Sequence, residues 1–197
     1  TELLGHDEGV RHVLGHGDVL AHGIPERWSA PDRLADRTAF LQYTSGSTGT
    51  AKGVVVSNAN LIAHQRYGHH YFRQEEGATC VSWLPVYHDM GLIGAMLYPI
   101  YCGGRTIFMS PTSFIKRPMR WIQAIDRFRA GVSTGPNFAY ELVASRAKPE
   151  EIAKLDLSCW RLSVLGAEPI RHDTVSKFMS VFAACGFRES TFMPCFG

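Results

Sequence analysis

Residues 40–57 read FLQYTSGSTGTAKGVVVS and place a glycine- and hydroxyl-rich loop between two predicted strands. Residues 38–43 alternate in polarity, which is typical of a strand. Val54–Val56 is a β-branched run without alternation and predicts a buried strand. The glycines between them allow tight turns that present backbone N–H groups to an anion, and Lys52 adds a positive charge. The loop therefore predicts a polyphosphate site. The alternative, a flexible Ser/Gly connection, needs neither Lys52 nor so many hydroxyl groups.

The loop differs from a Walker A motif, which has the pattern G-x-x-x-x-G-K-[ST]. Lys52 lies three positions after Gly49 instead of directly after a glycine, and Gly53 stands where Ser or Thr is required. The sequence therefore disfavours a kinase or GTPase of the P-loop class.

Strands and helices alternate along the rest of the chain. Ser57 is expected to cap the helix that follows it, and Gly186 to end the last one. This alternation predicts an α/β fold with a mainly parallel sheet and helices on both faces. We expect residues 1–37 to form a partly irregular connecting segment and residues 38–197 an α/β core that is incomplete at its C-terminal end. The predicted strands are 79–83, 106–109, 132–134, 161–165 and 192–196, and the predicted helices are 58–73, 89–101, 118–130, 137–147 and 174–185.

The composition excludes several classes of protein. Of the 197 residues, 45% are hydrophobic and 19% charged, so a sizeable core is available and general disorder is excluded. A net charge of +2 provides no broad basic surface for nucleic acid. The longest apolar stretch, residues 90–102, is interrupted by Gly91, Gly94 and Pro99 and is shorter than the ~20 residues of a membrane span.

The five cysteines are widely spaced and form no C-x-x-C pair, which disfavours a disulfide scaffold and a zinc site. We assign no residue to a metal and expect a cytoplasmic protein. The chain begins at Thr1 and ends directly after a strand-like run, so we expect it to be a piece of a larger protein.

Six segments in a fixed order carry a family resemblance. Residues 40–49, FLQYTSGSTG, resemble the phosphate-binding signature of the adenylate-forming superfamily, which includes acyl-CoA synthetases, luciferases and adenylation domains of nonribosomal peptide synthetases. The other five segments narrow the resemblance to the fatty acyl-AMP ligases. The resemblance covers residues 38–197. They are SWLPVYHDMGLIG at 82–94, MSPTSFIKRPMRW at 109–121, PNFAYEL at 136–142, LDLSCWR at 155–161 and GAEPI at 166–170.

The resemblance implies roles for the phosphate loop and for His88. His88 would lie beside the acyl-phosphate site as a catalytic residue, together with Lys52. The alternative is that His88 only caps a helix, a role that we assign to its neighbour Asp89. The β- and γ-phosphates of ATP would be held by Thr44, Ser45, Gly46, Ser47, Thr48, Gly49 and Lys52.

The resemblance also implies an adenine site. Gly166, Ala167, Glu168 and Pro169 would border the ring, and Phe196 followed by Gly197 would stack on it. The family usually has Tyr at the position of Phe196, so stacking is kept and a hydroxyl is lost. Glu168 has two open interpretations, a general base and a carboxylate that fixes its own loop.

Residues 92–98 are apolar on all sides, and they fit a core helix as well as a wall of an acyl tunnel. Gly94 would leave room for the chain. We also expect His88 and Asn137 to contact the substrate. Phe138 joins them, because the aromatic rings at 138 and 140 cannot share one helix face, so that one can face the core and the other the substrate.

The resemblance implies ATP-dependent activation of a fatty acid to an acyl-adenylate, with Mg²⁺, followed by transfer to an acyl carrier protein. Close alternatives are an acyl-CoA synthetase and an amino-acid adenylation domain. A more distant one is a non-catalytic module that binds a nucleotide or lipid. The family's magnesium ligand, ribose-binding aspartate and C-terminal lysine are expected beyond Gly197, so the chain alone is expected to be inactive.

Overall fold

The computed structural model describes residues 35–44, 52–72 and 76–195. Within these ranges the main unit is a parallel sheet of five strands, which are β3 (Thr79–Ser82), β4 (Arg105–Phe108), β5 (Val132–Gly135), β6 (Leu162–Leu165) and β7 (Phe192–Pro194). Their order across the sheet is β4-β3-β5-β6-β7. This confirms the predicted α/β class. The boundary predicted between residues 37 and 38 stays a prediction, because residues 1–34 lie outside the described part.

The first two strands form a separate antiparallel hairpin. Strand β1 (Thr38–Thr44) pairs with β2 (Lys52–Ser57), and both strands lie where the sequence predicted a strand. The prediction that Val54–Val56 is buried is wrong, because Val54 and Val55 are 50% and 61% exposed. A β-branched run fits any pleated strand, and here the strand pairs in a two-stranded ribbon instead of entering the parallel sheet.

Helix α1 (Asn58–Phe72) begins at the cap predicted for it. The backbone N–H of Asn60 donates to Ser57 Oγ at 3.1 Å, and the Ser57 N–H donates to Asn60 Oδ1 at 3.0 Å. This reciprocal pair satisfies N–H groups that have no partner inside the helix.

The other helices lie in the connections between successive strands of the parallel sheet. The predicted helix 89–101 is divided into a π-helix (Met90–Leu97) and α2 (Tyr98–Tyr101). Two short helices that both begin at proline, α3 (Pro111–Lys116) and α6 (Pro149–Ile152), were not predicted. The predicted end of α7 (His172–Phe182) is confirmed, because Gly186 has φ of +87° and stops the 3₁₀ turn that follows the helix. The remaining helices are α4 (Met119–Arg127), α5 (Asn137–Arg146) and the 3₁₀ turns Ala183–Cys185 and Glu189–Thr191.

The two faces of the sheet have different partners. Cys80, Val132 and Leu162 project from one face and pack with Ala95 of the π-helix. Residues next to these in sequence, such as Val81, point to the other face, since side chains alternate along a strand. That second face carries the larger core, which α4, α5 and α7 cover. The sheet is therefore covered on both faces, as predicted.

An aromatic cluster with buried side-chain hydrogen bonds occupies the larger core. Trp121 of α4 is fully buried, and its Nε1–H donates to Ser133 Oγ at 2.7 Å, while that hydroxyl donates to the Val81 carbonyl at 2.6 Å. The two bonds connect α4 to β5 and β3. The buried hydroxyl of Tyr140, on α5, lies 2.8 Å from Oγ of Ser163, which is on β6, the strand next to β5.

Ser133→Ala should destabilise the protein more than Ser163→Ala. Without Ser133, the Trp121 N–H is left unpaired in the core, which costs about 1–3 kcal/mol. The Tyr140 hydroxyl, in contrast, still has the Val164 carbonyl at 3.5 Å as an acceptor. We expect a difference of about 1 kcal/mol in the free energy of unfolding, measured by urea titration of the intact protein. Equal losses for the two variants would contradict this account.

Candidate active site at the carboxyl edge of the sheet

The loops that follow the parallel strands meet at one edge of the sheet. We call them the β3 loop (residues 83–89), the β5 turn (136–138) and the β6 loop (166–171). The strand order places β4 and β5 on opposite sides of β3, so the connections diverge between β3 and β5. Ligands of open α/β sheets bind outside the carboxyl ends of strands at such a point. The β3 loop and the β5 turn flank this crevice.

His88 lies in the β3 loop, directly before the π-helix. Its Nδ1 lies 2.8 Å from Asp89 Oδ1 and 3.2 Å from the Met90 backbone N, and half of its side chain is exposed. The Met90 N–H donates to Asp89 Oδ1 at 2.6 Å, which confirms Asp89 as the helix cap. In the part of the chain that the structure describes, no hydrogen bond uses His88 Nε2, so this atom is available to a bound group.

Phe138 connects the β5 turn to the β3 loop. Its ring lies 5.9 Å from that of Trp83 in an edge-to-face arrangement, and Trp83 in turn stacks on Phe114 at 3.9 Å. Phe138 remains 42% exposed, although it lies in the first turn of a helix that is otherwise largely buried. The structure therefore brings Phe138 against the loop that carries His88, and the role of both residues as substrate contacts stays a prediction.

The β6 loop has a backbone that few residues can adopt. Ala167 has φ of +66°, the left-handed region that favours glycine. A Cβ atom on Gly166 would lie 2.5 Å from the Cys195 carbonyl oxygen, so the loop and the end of β7 can approach this closely only with glycine there. The Cys195 N–H also donates to the Leu165 carbonyl at 2.8 Å. The close approach expected of Gly166 thus includes a contact with the chain itself.

Glu168 and Asn137 fix the β6 loop to the β5 turn. The Phe138 N–H donates to Glu168 Oε1 at 2.5 Å, and the Arg171 N–H donates to Asn137 Oδ1 at 3.0 Å. The Asn137 amide also donates to Thr174 Oγ1 at 3.2 Å. Of the two interpretations of Glu168, this geometry favours the carboxylate that fixes its loop.

The ends of the predicted phosphate loop close a hairpin. Thr44 and Lys52 are opposite each other in the last pair of the β1–β2 ladder, and the Lys52 side chain is exposed. Residues 45–51 lie outside the described residues, and so does the predicted stacking pair at 196–197. The roles of Ser45, Gly46, Ser47, Thr48, Gly49, Phe196 and Gly197 therefore stay predictions.

Gly94 lies on the exposed side of the π-helix. A Cβ atom built there would have no neighbour within 4 Å, so there is open space beside it. A π-helix within an α-helical segment is frequently found at functional sites. These observations fit an acyl chain along this helix, and the tunnel stays a prediction.

Sequence reasoning did not single out Trp83. Its indole N–H is buried and has no hydrogen-bond partner among the described residues. The available signal was its position directly after a buried strand, at the edge of the sheet where the other site residues lie. Its packing against Phe114 and Phe138 depends on distant segments and could not be read from spacing.

The described cysteine thiols are favoured in their protonated form. Burial raises the pKa of the Cys80 thiol to about 12. Burial is also the largest effect on Cys102, Cys159, Cys185 and Cys195, and it raises the pKa of each. Burial therefore disfavours the thiolate, which is the nucleophilic form of cysteine.

A cavity of about 220 Å³ lies at the opposite, amino edge of the sheet. The cavity is lined by Ala78, Thr79, Arg129, Gly131, Ser158, Cys159 and Arg161. Arg129 is already paired with Asp126 and Asp156, so its charge is largely compensated.

The described helices include none long and apolar enough to cross a membrane.

The family model for AMP-binding enzymes matches residues 7–193. The chain is 44% identical over 172 residues to a medium-chain-fatty-acid–[acyl-carrier-protein] ligase of Teredinibacter turnerae, covering 87% of the chain and 27% of that protein. It is 42% identical over 197 residues to a ligase of the same description from Moorena producens, covering 100% of the chain and 33% of that protein. The chain thus spans about a third or less of the length of these relatives.

Solved structures agree with the sequence relatives. A fatty acid AMP ligase from Legionella pneumophila superposes with a TM-score of 0.82 at 42% identity, over 87% of this chain and 30% of that one. A fatty acyl-adenylate ligase from L. pneumophila, solved with acyl adenylate and pyrophosphate, superposes with a TM-score of 0.81 at 43% identity, over 86% of this chain and 30% of that one.

Substitutions at adjacent positions of the β6 loop should have opposite effects on stability. Gly166→Ala places a Cβ atom against the Cys195 carbonyl and should cost about 1–3 kcal/mol of unfolding free energy. Ala167→Gly removes a left-handed alanine and should stabilise the protein by about 0.5–1 kcal/mol, after the higher entropy of unfolded glycine is subtracted. Thermal unfolding of the intact protein measures both. A neutral Gly166→Ala would show that the loop and β7 are not in close contact.

Proposed function

The chain belongs to the AMP-binding enzyme family, and from this we propose that the intact protein uses ATP to activate a fatty acid as its acyl-adenylate and then transfers the acyl group to a carrier protein. The observation that carries the proposal is the meeting of the β3 loop, the β5 turn and the β6 loop at the carboxyl edge. Its relatives add support, because two of them are fatty-acid–carrier-protein ligases.

The proposed reaction is attack of the fatty-acid carboxylate on the α-phosphorus of ATP. A bond forms between a carboxylate oxygen and phosphorus, the bond to the bridging oxygen breaks, and pyrophosphate leaves. Such a step needs little covalent chemistry from the protein, so positioning and charge stabilisation dominate.

We assign charge stabilisation to two residues. Lys52 stands at the base of the phosphate loop with an exposed side chain, where it can approach the β- and γ-phosphates. His88 would donate from Nε2 to an oxygen at the reacting centre, while its Nδ1 lies beside Asp89 and the Met90 N–H. Both donors would meet negative charge that develops during transfer.

We assign the nucleotide and the acyl chain to opposite sides of the β5 turn. Gly166, Ala167, Glu168 and Pro169 would border adenine, with Phe196 stacked on the ring. Phe138 and the open side of the π-helix at Gly94 would guide the acyl chain, and Asn137 would act through the contacts it makes with the β6 loop.

Mg²⁺ is expected to accompany the nucleotide and to neutralise phosphate charge. Across residues 35–44, 52–72 and 76–195, no group of three His, Cys, Asp or Glu side chains could hold a metal ion. We assign no residue to Mg²⁺ and derive no step through it. We place the protein in the cytoplasm, a location consistent with ATP as a substrate and with five widely spaced cysteines that form no C-x-x-C pair.

The intact protein should catalyse exchange of labelled pyrophosphate into ATP that depends on a fatty acid. After activation, a phosphopantetheinylated carrier protein should be acylated rapidly, and CoA slowly. The chain of 197 residues alone should give no exchange, because it spans at most a third of its relatives. Rapid acyl-CoA formation would favour an acyl-CoA synthetase. Exchange that depends on amino acids would favour an adenylation domain, and absence of any exchange would favour a non-catalytic module.

Lys52→Ala and His88→Ala should each lower kcat/KM for exchange about 100-fold, the usual cost of losing one donor to transition-state charge. Both side chains are exposed, so the free energy of unfolding should change by no more than about 0.5 kcal/mol. Lys154→Ala and His64→Ala remove exposed side chains elsewhere and serve as controls. If either variant had a normal kcat/KM for exchange and a much lower free energy of unfolding, the role of Lys52 or His88 would be structural.

A further inference from the structure

Three hydrogen bonds connect the β5 turn to the segment that begins with the β6 loop. They are Phe138 N–H to Glu168, Arg171 N–H to Asn137, and the Asn137 amide to Thr174. The partners are at least 30 residues apart in sequence, so these bonds fix tertiary structure and not a local turn. We call this set the clamp.

Glu168 caps a helix that belongs to another segment. Helix α5 has Pro136 at its N-cap position, and no side chain of its own caps it. The Glu168 carboxylate accepts the Phe138 N–H at this end, where the open N–H groups and the helix dipole favour a negative charge. Glu168 itself is exposed, so the bond is not a by-product of burial in the core.

Asn137 makes the second half of the clamp in a buried position. Its side chain is only 6% exposed, and Thr174 is 3% exposed, so water cannot easily replace a lost partner. The amide oxygen accepts from Arg171 N–H, and the amide nitrogen donates to Thr174. Both ends of the amide are therefore engaged with the segment that follows β6.

The clamp lies between the two halves of the proposed site. On one side, the β6 loop would face adenine and contacts Cys195 through Gly166. On the other side, the Phe138 ring packs against Trp83 of the β3 loop, which leads to His88. The clamp joins the β6 loop and the start of α7 to the β5 turn, and the contact between the Phe138 and Trp83 rings joins that turn to the β3 loop.

We propose that Glu168 and Asn137 are positioning residues that make nucleotide binding and fatty-acid binding interdependent. A nucleotide that orders the β6 loop holds the β5 turn in the conformation that binds the fatty acid through Phe138. By linkage, a bound fatty acid must favour the nucleotide by the same factor. This inference rests on the proposed function, since it takes the two ligands from there.

The test measures coupling in the intact protein with ligands that cannot react. The dissociation constant of α,β-methylene-ATP is measured by calorimetry with and without saturating dodecanoate. In the wild type, dodecanoate should tighten nucleotide binding at least about fivefold, the lower end of typical coupling. Glu168→Ala and Asn137→Ala should reduce this ratio to within about twofold of unity, whatever their effect on each ligand measured alone.

Glu168→Gln separates a positioning residue from a general base. Glutamine keeps an oxygen that accepts the Phe138 N–H, so most of the coupling and most of the exchange activity should survive. Glu150→Gln, at an exposed position of α6, should leave both unchanged. Equal loss of exchange in Glu168→Gln and Glu168→Ala, with coupling intact in both, would make Glu168 a base and overturn the proposal.

Hydrogen exchange provides a second measurement that does not depend on the fatty acid. α,β-Methylene-ATP alone should slow amide exchange across residues 136–140 in the wild type and have no such effect in Glu168→Ala. Absence of both coupling and protection in a well-folded wild type would overturn the clamp. A wild type that forms no acyl-adenylate would instead refute the proposed function, and the protection measurement would still decide the clamp.

Discussion

Parallel pairing is the constraint on which the candidate site depends. Every strand from β3 to β7 runs in the same direction, so each connection must cross the sheet and each carboxyl end lies at the same edge. Loops that are far apart in sequence are therefore gathered at one edge without any direct signal between them. The divergence of connections between β3 and β5 opens the crevice that the β3 loop and the β5 turn flank.

The core fixes where this edge lies. Trp121 reaches from α4 through Ser133 to the Val81 carbonyl, which holds β3 and β5 in register beneath the crevice. The aromatic cluster continues through Trp83 to Phe138. The packing of the core therefore positions a residue that we propose contacts the substrate. The strained Ala167 is held beside this network by the clamp and by the close contact between Gly166 and Cys195.

Local sequence predicted much of this fold because its main signals are local. The cap at Ser57, the stop at Gly186 and the short apolar strands each depend on a few neighbouring residues. Burial of Val54–Val56 was mispredicted because burial depends on which distant element covers a strand. Glu168 illustrates the same limit within the site. Its sequence neighbours allow a base or a loop anchor equally, and only the approach of the Phe138 N–H from another segment favours the anchor.

A crystal structure of the intact protein with a non-hydrolysable acyl-sulfamoyl adenosine tests the central claim, that the loops at the carboxyl edge form one site for nucleotide and fatty acid. The account predicts adenine against Gly166–Pro169, the sulfamoyl group near His88, and the acyl chain passing Phe138 toward Gly94. Adenine bound in the cavity at the amino edge, or an acyl chain that leaves the crevice without meeting Phe138, would contradict it.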